Sequence, residues 1–333
     1  MGKSLDLEKT CQSCKYKIKH HKEFPCDGEN TVEISKREIK MKTKIINSKP
    51  IDINKLPFPA RHLLDMEKYI KLNKTHYLKS KGKRVISVLT SRGCNFNCSY
   101  CSSTKFFGKW RGISPEKVIK EIDYLIKKYN VDEIQFEDDN MIYDRKRAIK
   151  IFNGIKKYNI SFCFPNGVII NSVDKELLKL MKEAGCYSIT YGVEVGNKEI
   201  LHKIIKKPLV FEKIKQVIDE TKKAGTFVNI FMMVGLPGET KENIKETFEF
   251  AKYLCPDNVF LSIFNPLIGS ELYDICIENN YIKNLDFENN LYVKGNITTE
   301  EFTAEWLEKY VIKEKAKLNG YIKIQKLKRY FKR

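Results

Sequence analysis

No apolar run in this 333-residue chain approaches the ~18–20 residues needed to cross a bilayer. The longest candidate, residues 227–236, is shorter and contains Asn229. The first ten residues are charged and lack the apolar stretch of a secretory leader, so a cytoplasmic protein is expected. Low-complexity segments are absent, as are repeats beyond an alternation of strand-like and helix-like stretches. A hydrophobic content of 42% with 11% aromatics excludes global disorder and supports a real core. Acidic residues are scarce relative to basic ones, 42 against 61, a formal charge of +19. The excess is spread along the whole chain, which suits solvated helix faces; RNA or an anionic membrane surface is the alternative reading. Ten cysteines without a leader imply a reducing compartment, where clustered cysteines bind metal or do redox work rather than form disulfides.

Four regions differ in texture. Residues 1–50 are polar and basic, with Cys11, Cys14, His20, His21 and Cys26 close together: donors for a small zinc site, or unliganded residues of a lead-in. Residues 51–83 contain Leu56-Pro57-Phe58-Pro59-Ala60-Arg61, a proline-stiffened connector. Residues 84–268 read as six strand–helix units, with strands near 85–90, 133–136, 161–164, 187–193, 226–234 and 258–263. Ser114-Pro115 opens one helix as N-cap and first residue, and Gly185 closes another. Residues 269–333 read as a helical, basic tail in which Lys and Arg interleave with Tyr321, Ile322, Ile324, Leu327, Tyr330 and Phe331. The span of the six units is about three quarters of the ~250 residues of an eight-unit barrel. The expected fold is therefore α/β, a partial (β/α)6 TIM-type barrel, with its chemistry on the loops after the strands.

The loop after the first strand reads Cys94-x3-Cys98-x2-Cys101. Three thiolates so close in sequence can each take a different iron of a [4Fe–4S] cube, leaving a fourth iron open to a small molecule. A zinc site completed by a distant residue is the competing reading, but paired Cys or Cys/His elements are usual there and no second pair follows in the barrel. Cys163, Cys186, Cys255 and Cys276 sit in apolar or helical contexts and read as core residues.

With this spacing in this place, the chain resembles the radical S-adenosylmethionine (SAM) superfamily. The resemblance extends to the catalytic half of its B12-binding group, which includes methylases and the anaerobic protoporphyrin-ester cyclase. It is carried by residues 56–61, 90–101, Phe136-Glu137-Asp138-Asp139-Asn140, Gly192-Val193-Glu194-Val195-Gly196 and Gly235-Leu236-Pro237-Gly238-Glu239-Thr240. It implies an enzyme in which a [4Fe–4S] cluster on Cys94, Cys98 and Cys101 reductively cleaves SAM. The resulting 5′-deoxyadenosyl radical would abstract hydrogen from a substrate that the sequence does not name. It implies SAM contacts from Asp138 or Asp139 to the amine and from Glu194 to the ribose, with Tyr100, Val234 and Gly235 near the adenosine and Glu239 supporting its loop. An oxygen-sensitive cluster implies an anaerobic or well-reduced cell and an electron donor such as ferredoxin or flavodoxin. The expected substrate is a small or lipid-like molecule. An RNA-modifying enzyme like the methylthiotransferases, and a non-enzymatic Fe–S or zinc scaffold, are the alternatives. The B12-binding group carries a flavodoxin-like domain ahead of the barrel and, in many members, an Asp-x-His-x-x-Gly loop. Too few residues precede the connector for that domain, and none of the five histidines lies in such a loop. Cobalamin is therefore expected to be absent or supplied by a separate protein.

Overall fold

The computed structural model describes residues 51–72, 80–282 and 292–331. The N-terminal group of Cys11, Cys14, His20, His21 and Cys26 lies outside the described residues. Six strands form one parallel sheet: β1 (Val85–Val88), β4 (Glu133–Phe136), β5 (Ser161–Val168), β6 (Cys186–Glu194), β7 (Phe227–Val234) and β8 (Asn258–Ile263), in chain order from edge to edge. β1 and β8 stay at the two edges, so the barrel is partial. Two short strands, β2 (Ser91–Arg92) and β3 (Arg111–Gly112), pair antiparallel and bracket the three-cysteine loop; the hydrophobic pattern does not reveal them.

The helices form where apolar spacing and caps coincide. After a short helix, α1 (Met66–Leu72), in the connector and α2 (Ser103–Phe107) in the cysteine loop, α3 (Pro115–Tyr129) begins at Ser114, whose hydroxyl accepts from Lys117 N, and buries Val118, Ile122 and Leu125. Asp144 caps α4 (Arg145–Ile155) and Asp174 caps α5 (Lys175–Glu183) in the same way. The stretch after β6 departs from a plain helix: a π turn at Ile200–Ile204 and a 3-10 turn at Phe211–Lys213 precede α6 (Ile214–Lys223). Thr240 and Asn243 form a reciprocal capping box at the start of α7 (Lys241–Leu254). The tail supplies α8 (Glu271–Glu278) and the long α9 (Ala304–Phe331), which packs on α7 and β8.

The sheet separates two environments. Its helix side is apolar: Phe136, Phe152, Phe162 and Phe164 pack with ring centroids 5.5–6.2 Å apart. On the inner side many of the alternate residues are polar. Tyr187 donates to Glu133 at 2.8 Å, Asn229 to Ser188 at 2.9 Å and Ser87 to Glu137 at 3.1 Å. β5 continues past the expected end at Phe164, because the chain passes Pro165 and Gly167 through a register shift against β6 instead of turning.

Candidate active site

The cysteine loop leaves the C-terminal end of β1 and is held at both ends. Gly93 adopts φ +78°, and a Cβ there would lie 2.4 Å from Gly108 O, so only glycine lets the loop close on itself. Cys94 N donates to Gly108 O at 3.3 Å and Cys101 N to Cys98 O at 3.0 Å. Thr104 Oγ1 donates to Phe96 O at 2.8 Å, and Ser103 N to Cys101 Sγ at 3.4 Å. Ser99 N reaches Ile205 O at 2.9 Å, while Ser99 O accepts from Leu272 N at 2.9 Å, tying the loop to the segment after β6 and to α8.

Cys94, Cys98 and Cys101 are free thiols, partly exposed. Burial pushes all three upward, Cys98 to about 12. The nearby Lys207 ammonium works against this at Cys94 and Cys98. Among the described residues no three Cys, His, Asp or Glu side chains gather as ligands of a single ion.

Below the loop lies a clamp on Thr90. Asp138 accepts from Thr90 N at 3.0 Å, from Thr90 Oγ1 at 2.9 Å and from the Ser91 hydroxyl. Arg147 donates to Thr90 O, to Ile113 O at 2.7 Å and to Met141 O at 3.4 Å. Both charged residues are buried, which raises the Asp138 carboxyl and lowers the Arg147 guanidinium from their usual ranges. The structure thereby separates the two neighbouring acids. Asp138 is turned inward and occupied. Asp139 is exposed, accepts from Ser103 Oγ at 2.8 Å, and is close enough to raise Cys94 and Cys101 by its charge.

Glu194 ends β6 at φ +71°, an uncommon conformation for a side chain of this size. Its Oε1 accepts from Tyr100 Oη at 3.0 Å and from the Lys207 ammonium, which also donates to Gly192 O at 2.9 Å. The pair is almost fully buried. Burial and the Glu194 charge hold the Tyr100 phenol well above its ordinary range. Sequence reasoning missed Lys207. It follows an irregular turn, and only the fold carries it back to Glu194.

Val234 and Gly235 end β7. Val234 is buried and its carbonyl accepts from Phe264 N at 2.8 Å. Gly235 N and Leu236 N donate to Glu239 Oε2 at 2.6 and 2.8 Å. A Cβ on Gly235, φ +86°, would meet Leu307 Cδ2 at 2.3 Å. Glu239 is fully buried, its Oε1 lacks a partner, and burial pushes its carboxyl up to about 8.

Tyr100, Asp139, Glu194, Lys207 and the three cysteines therefore share the C-terminal rim, whereas Asp138 and Glu239 support it from inside. Residues 88–251 match the Radical SAM superfamily. The chain is 32% identical over 248 residues to cytidylyl-2-hydroxyethylphosphonate methyltransferase of Streptomyces wedmorensis, covering 72% of this chain and 46% of that protein. It is 32% identical over 273 residues to an uncharacterized methyltransferase of Pyrococcus horikoshii, covering 82% and 57%. The chain thus spans about half the length of these curated relatives. Among solved structures, the radical SAM methyltransferase TsrM of Kitasatospora setae, with cobalamin and a [4Fe–4S] cluster bound, aligns with TM-score 0.54 at 15% identity, over 63% of this chain and 42% of that one. That likeness is one of fold.

Proposed function

We propose that this chain, which belongs to the radical SAM superfamily, is an enzyme that holds a [4Fe–4S] cluster on Cys94, Cys98 and Cys101 and acts on a small or lipid-like substrate by hydrogen abstraction. The observation that carries the reading is the placement of three free, partly exposed thiols on one tightly closed loop at the strand ends. The donor set fits the group. Three soft thiolates on one short loop suit a cube, in which each binds its own iron. When bound, the cluster and SAM supply the electron and the 5′-deoxyadenosyl radical that such chemistry requires.

The chain's own residues bind and orient. Glu194 offers its second oxygen to the ribose hydroxyls while Tyr100 and Lys207 fix its first. Asp139, exposed beside the cysteines, receives the methionyl amine. Val234 and Gly235 form the floor for the adenosine, and Glu239 holds that turn by its two backbone hydrogen bonds. The Asp138–Thr90–Arg147 clamp positions the start of the cysteine loop. Closure of the loop against Ile205 and Leu272 shields the site from water. A ferredoxin- or flavodoxin-type donor supplies the electron. Cobalamin is not carried over from the TsrM likeness.

The test uses anaerobically reconstituted protein. Iron and sulfide are quantified, and the EPR spectrum of the reduced protein is recorded with and without SAM. Dithionite-dependent 5′-deoxyadenosine is then assayed. A cluster signal that shifts with SAM, and product formation, is the expected result. Bound zinc, or a cluster indifferent to SAM with no product, would overturn the reading in favour of a scaffold.

A further inference from the structure

Between Cys94 and Cys98, Asn95 joins the cysteine loop to two other parts of the rim with one side chain. Its Nδ2 donates to Tyr143 Oη at 2.6 Å, and its Oδ1 accepts from Trp110 N at 2.9 Å. Tyr143 lies past the end of β4, and Trp110 just ahead of β3. The rings close the same contact. Tyr143 stands 5.2 Å from Trp110 and meets Phe96, the next residue of the loop, edge-on at 6.1 Å, centroid to centroid. Trp110 is held in turn: its Nε1 donates to Asn140 O at 3.0 Å, and the Arg147 guanidinium lies 5.7 Å from its ring. Asn140 O also accepts from Tyr143 N at 3.3 Å. Asn140 directly follows Asp139. Side chains, rather than the sheet, thus tie the cysteine loop to the turn that carries Asp139, and Ser103 Oγ adds a bond to Asp139 itself at 2.8 Å.

We propose that Asn95, Tyr143 and Trp110 form a positioning clasp that fixes the spacing between the three cysteines and Asp139, and through that spacing sets the affinity for SAM. The proposal rests on the cluster and the SAM contacts proposed above. Most of the clasp stands at the surface: Asn95 is exposed, Tyr143 is 39% exposed, and Phe96 and Trp110 are half-buried. Surface substitutions cost the fold little, so the clasp matters more as a geometric constraint than as core packing. A ligand held at once by the loop and by Asp139 binds well only where those two points keep one separation, and a displacement of about 1 Å can cost about a hundredfold. Asparagine suits the bridge because a carboxamide supplies a donor and an acceptor together, which a carboxylate of the same shape does not.

The experiment uses the full-length, anaerobically reconstituted protein and follows the EPR spectrum of the reduced cluster through a titration with SAM. Iron and sulfide are quantified first. Tyr143→Phe removes one hydrogen bond and keeps the ring. It should retain full iron and the wild-type spectrum without SAM, and raise the SAM concentration at half-shift about fivefold, the worth of one neutral hydrogen bond. Asn95→Ala removes both bonds and should raise it about 25-fold. Where Asn95→Ala loses iron, Tyr143→Phe decides. A role in the fold alone would leave the half-shift concentration unmoved, so a wild-type titration in Tyr143→Phe overturns the proposal. Loss of iron in Tyr143→Phe overturns it too, because the clasp would then support the cluster itself. A wild-type cluster that ignores SAM refutes the functional reading, and the proposal falls with it; this outcome is seen before any variant is made.

Discussion

At the base of the strands Glu133 has no exposure, and both its oxygens are occupied: Oε2 by Lys81 N and Gly82 N at 2.7 and 2.6 Å, Oε1 by Gln135 Nε2 and Tyr187 Oη at 3.0 and 2.8 Å. At the rim the accounting is incomplete. Among the described residues, buried side-chain atoms without a partner include both polar atoms of Asn140, Glu239 Oε1 and Arg111 Nε. Gln135 Oε1 sits one layer lower, and Arg329, outside the barrel, is ion-paired with Asp257 at 3.1 Å. A saturated carboxylate can only hold structure, because a new ligand would have to displace a partner it already has. An unsaturated rim is costly in the bare protein and leaves hydrogen-bonding capacity for something else.

Four substitutions test that contrast, starting with the largest effect. Cys98→Ala at the rim should remove the cluster and all 5′-deoxyadenosine formation while far-UV circular dichroism stays native. Retained iron at wild-type level would break the assignment. Glu133→Ala at the base should cost roughly 3–5 kcal/mol by denaturant unfolding, since four donors lose their acceptor. The SAM KM of the folded variant should not change. A raised KM would mean that the base also serves the ligand.

Glu239 ties the rim to pH. Its carboxyl stands near 8 in the folded chain against an ordinary 4.5. Between these values the folded state holds a proton that the unfolded state has released. Stability therefore falls as pH rises from 4.5 towards 8, with a slope of at most about 1.4 kcal/mol per pH unit. Glu239→Gln keeps an acceptor for Gly235 N and Leu236 N and should flatten this dependence in urea titrations run at several pH values. An unaltered slope would locate the effect elsewhere. The smallest change is expected from Lys207→Met, which should raise the SAM KM about tenfold, near 1.4 kcal/mol, while iron content stays complete. Loss of iron instead would make Lys207 a support of the cluster loop.

Much of this architecture was legible residue by residue. Ser114-Pro115 announces a helix start, and in the structure the Ser114 hydroxyl caps that helix. Five of the six strands lie within two residues of the apolar runs that suggested them; β5 is the exception. There Pro165 and Gly167 imitate a turn, and a register shift against β6 absorbs them. The β2–β3 hairpin escaped notice because two-residue strands have no periodicity to read.

What the sequence determined by itself are the features set by neighbours along the chain: strand and helix alternation from hydrophobic period, caps from residues three apart, and the C-x3-C-x2-C loop from its own spacing. Only the tertiary structure decided which of two adjacent acids is inward and which faces out. It alone brought Lys207 to Glu194 and Tyr100, and Arg147 beneath Thr90. The reason is physical. Burial and pairing of a charge depend on groups far away in sequence, brought together when parallel strands stack in register, and a local pattern carries no record of those distances.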